Sequence, residues 1–150
     1  MIELKASAHT TAEPNAVWKV MCDTGRYANW VVATDAVTRT DGPAHLRSTY
    51  AEVNPIVGPW KARTDWTVIE FDAPRRQVHR THDIPLAEEF VVMMEVFAAK
   101  DGSEITITLR CTPARGRLGT ALFKVLERQA RRDNETTVQN LARLTATGRV

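Results

Sequence analysis

Cysteine is scarce in this chain: 150 residues carry two, Cys22 and Cys111. One falls in a predicted helix and the other in a predicted strand. They therefore read as buried thiols of a reducing compartment rather than as a disulfide framework. An excess of one charge is lacking too. The 20 Lys and Arg stand against 18 Asp and Glu, a formal net charge of +2, and the late cations alternate with acids. That balance does not point to nucleic acid. No apolar run approaches the ~20 residues a membrane helix needs, and no charged and then apolar leader precedes the alternation that starts at residue 2. Repeats, low-complexity tracts and linker-like stretches are absent, so one domain over residues 1–150 is expected, soluble and cytoplasmic. With 43% hydrophobic and 25% charged residues, a chain of this length can bury a continuous core.

What is present is a change of period. Ile2, Leu4, Ala6 and Ala8 alternate with Glu3, Lys5, Ser7 and His9, the pattern of a half-buried strand. Glu13-Pro14 opens a short helix, because proline suits a first helical turn, and Asp23-Thr24-Gly25 ends it. Arg26 to Trp30 predicts a second short turn or helix. From about Val32 to Cys111 strand segments alternate with tight turns: Thr34 to Thr40, Leu46 to Val53, a strand carrying Ala62, Thr64, Trp66 and Val68 on one face, then Gln77 to Ile84, Glu89 to Ala98 and Glu104 to Cys111. Asn54-Pro55 and Gly58-Pro59 bound a loop holding Ile56 and Val57. Lys100-Asp101-Gly102 forms the last hairpin. Beyond Pro113 the period becomes helical from residue 117 to about 147, a span of on the order of 45 Å. A helical wheel puts Lys124, Glu127, Arg128, Arg131 and Arg132 on one half and Leu118, Leu122, Val125, Leu126 and Leu141 on the other.

About seven antiparallel strands with one apolar face need a cover, and the C-terminal helix alone is long enough. A helix roughly 10 Å across covers a wide sheet when the sheet curls around it. Curling leaves a space between helix and concave face, and such a space is either packed or a ligand site. The expected class is α+β, a helix-grip fold with two short helices after the first strand.

Three motifs carry a resemblance over nearly the whole chain: Ala12-Glu13-Pro14-x-x-Val17-Trp18, Asp23-x-x-x-Tyr27-x-x-Trp30, and Trp66-x-Val68-x-Glu70-Phe71-Asp72-x-Pro74-Arg75-Arg76. Asn140-Leu141-x-x-Leu144 adds to them. The chain resembles the START-like (SRPBCC) superfamily of polyketide cyclases/dehydrases and lipid-transport domains. That resemblance implies ligand carriage, aromatase/cyclase chemistry or co-chaperone-like interaction, because this fold hosts all of them.

Catalytic signatures are missing. His79-x-x-His82 in one strand points its rings to opposite faces, so no metal or other cofactor is expected. Neither G-x-S-x-G nor a Cys-His signature occurs. Gly116-x-x-Gly119 lacks the remaining residues of a phosphate loop and reads as a flexible lead-in to the last helix. What remains is polar residues that parity places indoors. Taking Val78 and Ile84 as inward markers puts Arg80 and His82 on the same side. The pair then reaches water at an edge or bulge, forms a structural ion pair, or polarises a ligand carbonyl or hydroxyl. Asp133, near Gln129, Thr137 and Asn140, is either ligand-facing or a residue at the pocket mouth, with Arg80 or Arg110 as possible partners. Arg80, His82 and Asp133 are the catalytic candidates.

The aromatic and apolar candidates for a ligand wall are Trp30, Tyr50, Trp66 and Phe90, with Met94, Leu122 and Leu126. Trp60, beside Gly58-Pro59, is a candidate lid residue together with Ile56 and Val57. Arg80, His82 and Asp133 complete the expected set. The leading expectation is a monomer or homodimer that binds a hydrophobic or aromatic small molecule, polyketide-like or lipid-like, with no nucleic acid and no integral membrane association. A polyketide aromatase/cyclase is the enzymatic alternative. A co-chaperone-like interaction module, with a patch near Ile56 and Val57 and no roomy cavity, is the third.

Overall fold

The computed structural model describes residues 1–146. Strand β1 (Ile2–Thr10) leads into helix α1 (Pro14–Cys22) and a short 3-10 helix (Thr24–Asn29). Six strands follow: β2 (Ala36–Thr40), β3 (Thr49–Val57), β4 (Trp60–Asp72), β5 (Arg76–Thr81), β6 (Ala87–Ala99) and β7 (Gly102–Pro113). Helix α2 (Arg117–Ala146) ends the described chain; the expected helix end at 147 and Gly148 lie outside the described residues. The seven strands form one antiparallel curved sheet in the order β1-β7-β6-β5-β4-β3-β2. This is the α+β helix-grip arrangement. Among the described residues no helix is long and apolar enough to cross a membrane.

Pairing register shows which side chains share the concave face. Val68 stands opposite His79, His79 opposite Val92, Val92 opposite Leu109 and Leu109 opposite Leu4. Directly paired residues point to the same face of a sheet. One step along, Tyr50 faces Trp66, and Thr81, Phe90, Cys111 and Ile2 make the parallel row. Irregular register between Val37/Arg39, Pro55/Val57, Val68/Glu70 and Ala87/Glu89 bends the strands, as bulges do.

Two expectations need correction here. The β5 parity is the reverse of that expected. Gln77, His79 and Thr81 point inward, whereas Val78 packs with Val91, Met93 and Ile69 in a small cluster on the other face. Strand β5 ends at Thr81, so Ile84 does not extend its alternation. The expected loop at Ile56 and Val57 is instead the end of β3, and the hairpin turns at Gly58-Pro59.

Helix α2 is gripped unevenly. Its second half is held by burial of Val138, Leu141 and Ala142 against the core that includes Val17, Met21, Ile105 and Ile107. Thr10 Oγ1 donates to the carbonyl of Ala142 at 3.0 Å. Its first half stands off: Leu118 is 71% and Val125 77% exposed, against the wheel expectation that both face the sheet. Gly119 is not a flexible lead-in. It lies inside α2, and a Cβ there would meet the carbonyl oxygens of Ala114 at 2.9 Å and Leu86 at 3.0 Å, so its lack of a side chain lets the helix start close to the β5–β6 turn.

Candidate functional site

Under the raised half of α2 lies a cavity of about 220 Å³. Native interiors close such gaps to about the size of a water molecule, so this is a formed space and not a packing fault. The sheet supplies Tyr50, Trp66, Phe90, Val92 and Met94 to its wall. The 3-10 segment and the loop after it supply Tyr27, Trp30 and Thr34, and α2 supplies Phe123, Leu126, Ala130 and Asp133. Asn140 Nδ2 donates to the Trp30 carbonyl at 3.1 Å, and Thr137 Oγ1 accepts from the Val32 N–H at 3.0 Å, which ties that loop to α2.

Two polar chains run through this wall. In the first, Trp66 Nε1 donates to Thr64 Oγ1 at 2.8 Å and the Thr64 hydroxyl donates to Asn54 Oδ1. Asn54 Nδ2 donates to the Ala33 carbonyl at 2.8 Å and to Glu52 Oε1 at 3.3 Å, and Thr34 Oγ1 donates to Glu52 Oε2 at 2.8 Å. Glu52 is 4% exposed. Burial pushes its carboxyl up to about 6, with the hydrogen bonds from Thr34 and Asn54 pulling the other way.

In the second chain, Gln77 Nε2 lies 3.5 Å from Cys22 Sγ, which leaves Gln77 Oε1 to accept from His79 Nε2 at 2.7 Å. With its proton on Nε2, His79 accepts the Tyr50 hydroxyl at Nδ1, 2.6 Å away; the tautomer is assigned from these partners. Burial lowers His79 to about 3, so the ring is neutral. Burial likewise raises the Tyr27 and Tyr50 phenols well above their ordinary value. The Cys111 thiol, on the wall near Ile2, is raised to about 11 by burial. Trp30 Nε1 is buried without a hydrogen-bond partner among the described residues.

A family model described as polyketide cyclase / dehydrase and lipid transport matches residues 1–145. The chain belongs to that family. Among solved structures, this member of the polyketide cyclase/dehydrase family is similar to the Zhui aromatase/cyclase from Streptomyces sp. R1128 (TM-score 0.81, 12% identity, 96% of this chain and 93% of that chain). It is also similar to TTHA0849 from Thermus thermophilus (TM-score 0.79, 14% identity, 99% and 100%) and to Ara h 8.0201 (TM-score 0.67, 9% identity, 97% and 98%). At these identities the likeness shows the fold. Comparison of the sequence with curated proteins gives no match.

Of the residues singled out in this family member, Trp30, Tyr50, Trp66 and Phe90 lie on the cavity wall, as do Met94, Leu126 and Asp133. Four do not. Arg80 lies on the outer face of β5 by the corrected parity. His82 is beyond the strand and exposed, its Nδ1 2.9 Å from the Glu88 carbonyl oxygen. Trp60 is 42% exposed at the hairpin tip, and Leu122 is half-buried beside the cavity-facing stripe of α2. Asp133 has neither expected arginine. It accepts from Gln129 Nε2 at 2.7 Å, while Arg110 pairs with Glu3 at 2.6 Å. Among the described residues no three His, Cys, Asp or Glu side chains form a group able to hold a metal.

The residues missed are Glu52 and His79, with Tyr27, Thr34 and Asn54. A signal for Glu52 existed, since Tyr50, Glu52 and Asn54 alternate in phase with an aromatic already placed indoors.

Proposed function

We propose that this member of the polyketide cyclase/dehydrase family binds a hydrophobic or aromatic small molecule in the space beneath α2, as a monomer or homodimer. The observation that carries this reading is the cavity itself. It is walled by aromatic rings from the sheet, from the 3-10 segment with the residue that ends it, and from α2. Apolar walls with a few placed polar atoms are the general character of small-molecule sites. Ligand-observed NMR with a panel of naphthalene and flavonoid-like probes tests it. Saturable binding is expected, and Ala130→Trp, which fills the space from α2, abolishes it without loss of fold. Absence of uptake across the panel, or unchanged uptake in Ala130→Trp, overturns the reading.

A second reading, polyketide aromatase/cyclase activity, is favoured by the likeness to the Zhui aromatase/cyclase. It would draw on Asp133 from α2, since Arg80 and His82 lie away from the cavity. Turnover of a cyclisable poly-β-carbonyl substrate that falls at least about tenfold in Asp133→Ala supports it, and unchanged turnover removes it. The interaction-module reading anticipated no roomy cavity, and the observed space weighs against it.

A further inference from the structure

The polar inventory of the cavity is one-sided. Three of the four hydroxyls on its wall are committed as donors to protein atoms: Tyr50 to His79, Thr34 to Glu52 and Tyr27 to the Met21 carbonyl. The Trp66 N–H is committed to Thr64, and Asn134 Nδ2 to the Ile107 carbonyl. Beside the Thr137 hydroxyl, whose oxygen accepts from the Val32 N–H, the wall offers acceptors, three of them carboxyl groups. Glu52, Glu127 and Asp133 all line the space, and no Lys or Arg does so among the described residues. The cations of this part of α2, Lys124, Arg128, Arg131 and Arg132, are exposed. Among the described residues Glu52 has no cationic partner; its two oxygens accept from the neutral Thr34 and Asn54. A buried carboxylate held by neutral donors lacks a countercharge, which is the expensive way to bury one. The surrounding rings add to the demand. Tyr27 meets Trp30 and Tyr50 edge-on, with centroids 5.5 and 5.4 Å apart, and Tyr50 stacks on Trp66 at 6.2 Å, and aromatic faces attract cations.

We infer that the preferred occupant of this cavity is an apolar or aromatic amine whose ammonium group is held by Glu52. The inference rests on the cavity-binding reading above and names the ligand class for that same site. Three probes of one shape separate the two claims: 2-(1-naphthyl)ethylamine, 2-(1-naphthyl)ethanol and 1-naphthylacetate, titrated calorimetrically at about pH 7.5, where an alkylammonium stays charged. The amine is expected to bind about tenfold or more tighter than the alcohol, and the alcohol tighter than the carboxylate. Glu52→Gln removes the preference, so that the variant binds the amine no tighter than the alcohol. The double variant Glu127→Gln/Asp133→Asn costs the amine less than Glu52→Gln does. On the wild-type protein, intermolecular NOEs from the CH2 beside nitrogen to Thr34 and Asn54 locate the ammonium whether or not Glu52→Gln folds. Equal affinity for amine and alcohol, or NOEs to Glu127 and Asp133 instead, overturns the amine assignment while the cavity reading stands. Failure of all three probes to bind overturns both.

Discussion

Two buried groups of opposite character make the stability of this protein flat in pH where a single one would make it slope. Burial lowers His79 from 6.5 to about 3. Between those values the unfolded chain binds a proton that the folded protein refuses, so the stability His79 confers is complete above 6.5 and is lost as pH falls toward 3. The slope is about 1.4 kcal/mol per pH unit and the total about 5 kcal/mol. Burial raises Glu52 from 4.5 to about 6, and the sign reverses. The folded protein keeps a proton the unfolded chain has released, so stability falls by about 2 kcal/mol as pH rises from 4.5 to 6. In that window the two slopes cancel. Urea unfolding at fixed ionic strength, followed by tryptophan fluorescence, is expected to give a near-constant free energy between pH 4.5 and 6 and a decline below 4.5. Glu52→Gln unmasks His79, and stability then climbs by about 2 kcal/mol across the window as pH rises; His79→Gln unmasks Glu52, and stability descends by a similar amount. Variant profiles parallel to that of the wild type would refute the assignment of both groups.

Thr64→Val keeps the shape of the side chain and strips both the acceptor of the Trp66 N–H and the donor to Asn54. Two buried polar atoms left unpaired cost about 2 kcal/mol or more, a fall in Tm of about 4 to 8 °C; an unchanged melting curve contradicts the network. Gly102 has φ +142°, and a Cβ there would come within 1.9 Å of the Thr10 carbonyl oxygen. Gly102→Ala should therefore destabilise by on the order of 3 kcal/mol or more, a loss that scanning calorimetry would detect or deny. Burial that lifts Cys111 from 9.0 to about 11 leaves about 100-fold less thiolate at neutral pH. Iodoacetamide should label it correspondingly slower in the folded protein than in urea, and equal rates would show that the thiol is not shielded.

The fold was legible wherever one face of an element is wet and the other dry. Strand β7 alternates Ile105, Ile107, Leu109 and Cys111 against Glu104 and Arg110, and its inward row is the one the structure shows. The same rule misled at β5, because that strand is covered on both faces. Val78 is 3% exposed in an outer cluster while His79 is fully buried on the inner side, so apolarity no longer marks the inside. Pairing decides it: β5 must share its inward row with Phe90, Val92 and Met94 of β6. Helix α2 misled for a different reason. A wheel gives the direction of the apolar side but not which stretch of it is pressed home. Val138, Leu141 and Ala142 fix the rotation of the rod against the core. That rotation carries Phe123, Leu126 and Ala130 over the cavity and leaves Leu118 and Val125 in solvent.

These failures share one cause, and it bears on function. A sheet whose inner face serves only as core places its polar residues outward. Here Glu52, Asn54, Gln77 and His79 point inward, and Val78, Val91 and Met93 pack outward. Inverting the pattern costs stability unless each inward polar atom is paired, and each of these four is paired within the two hydrogen-bonded chains. A protein that needed nothing from this face would have filled it with Leu and Val at lower cost. The places where binary patterning breaks therefore coincide with the wall of the proposed binding site, as expected where a fold departs from its own local rules. Among the described residues Glu52 is the inward group with a carboxyl and no cation beside it, so it is where the proposed ligand would gain most from a positive charge.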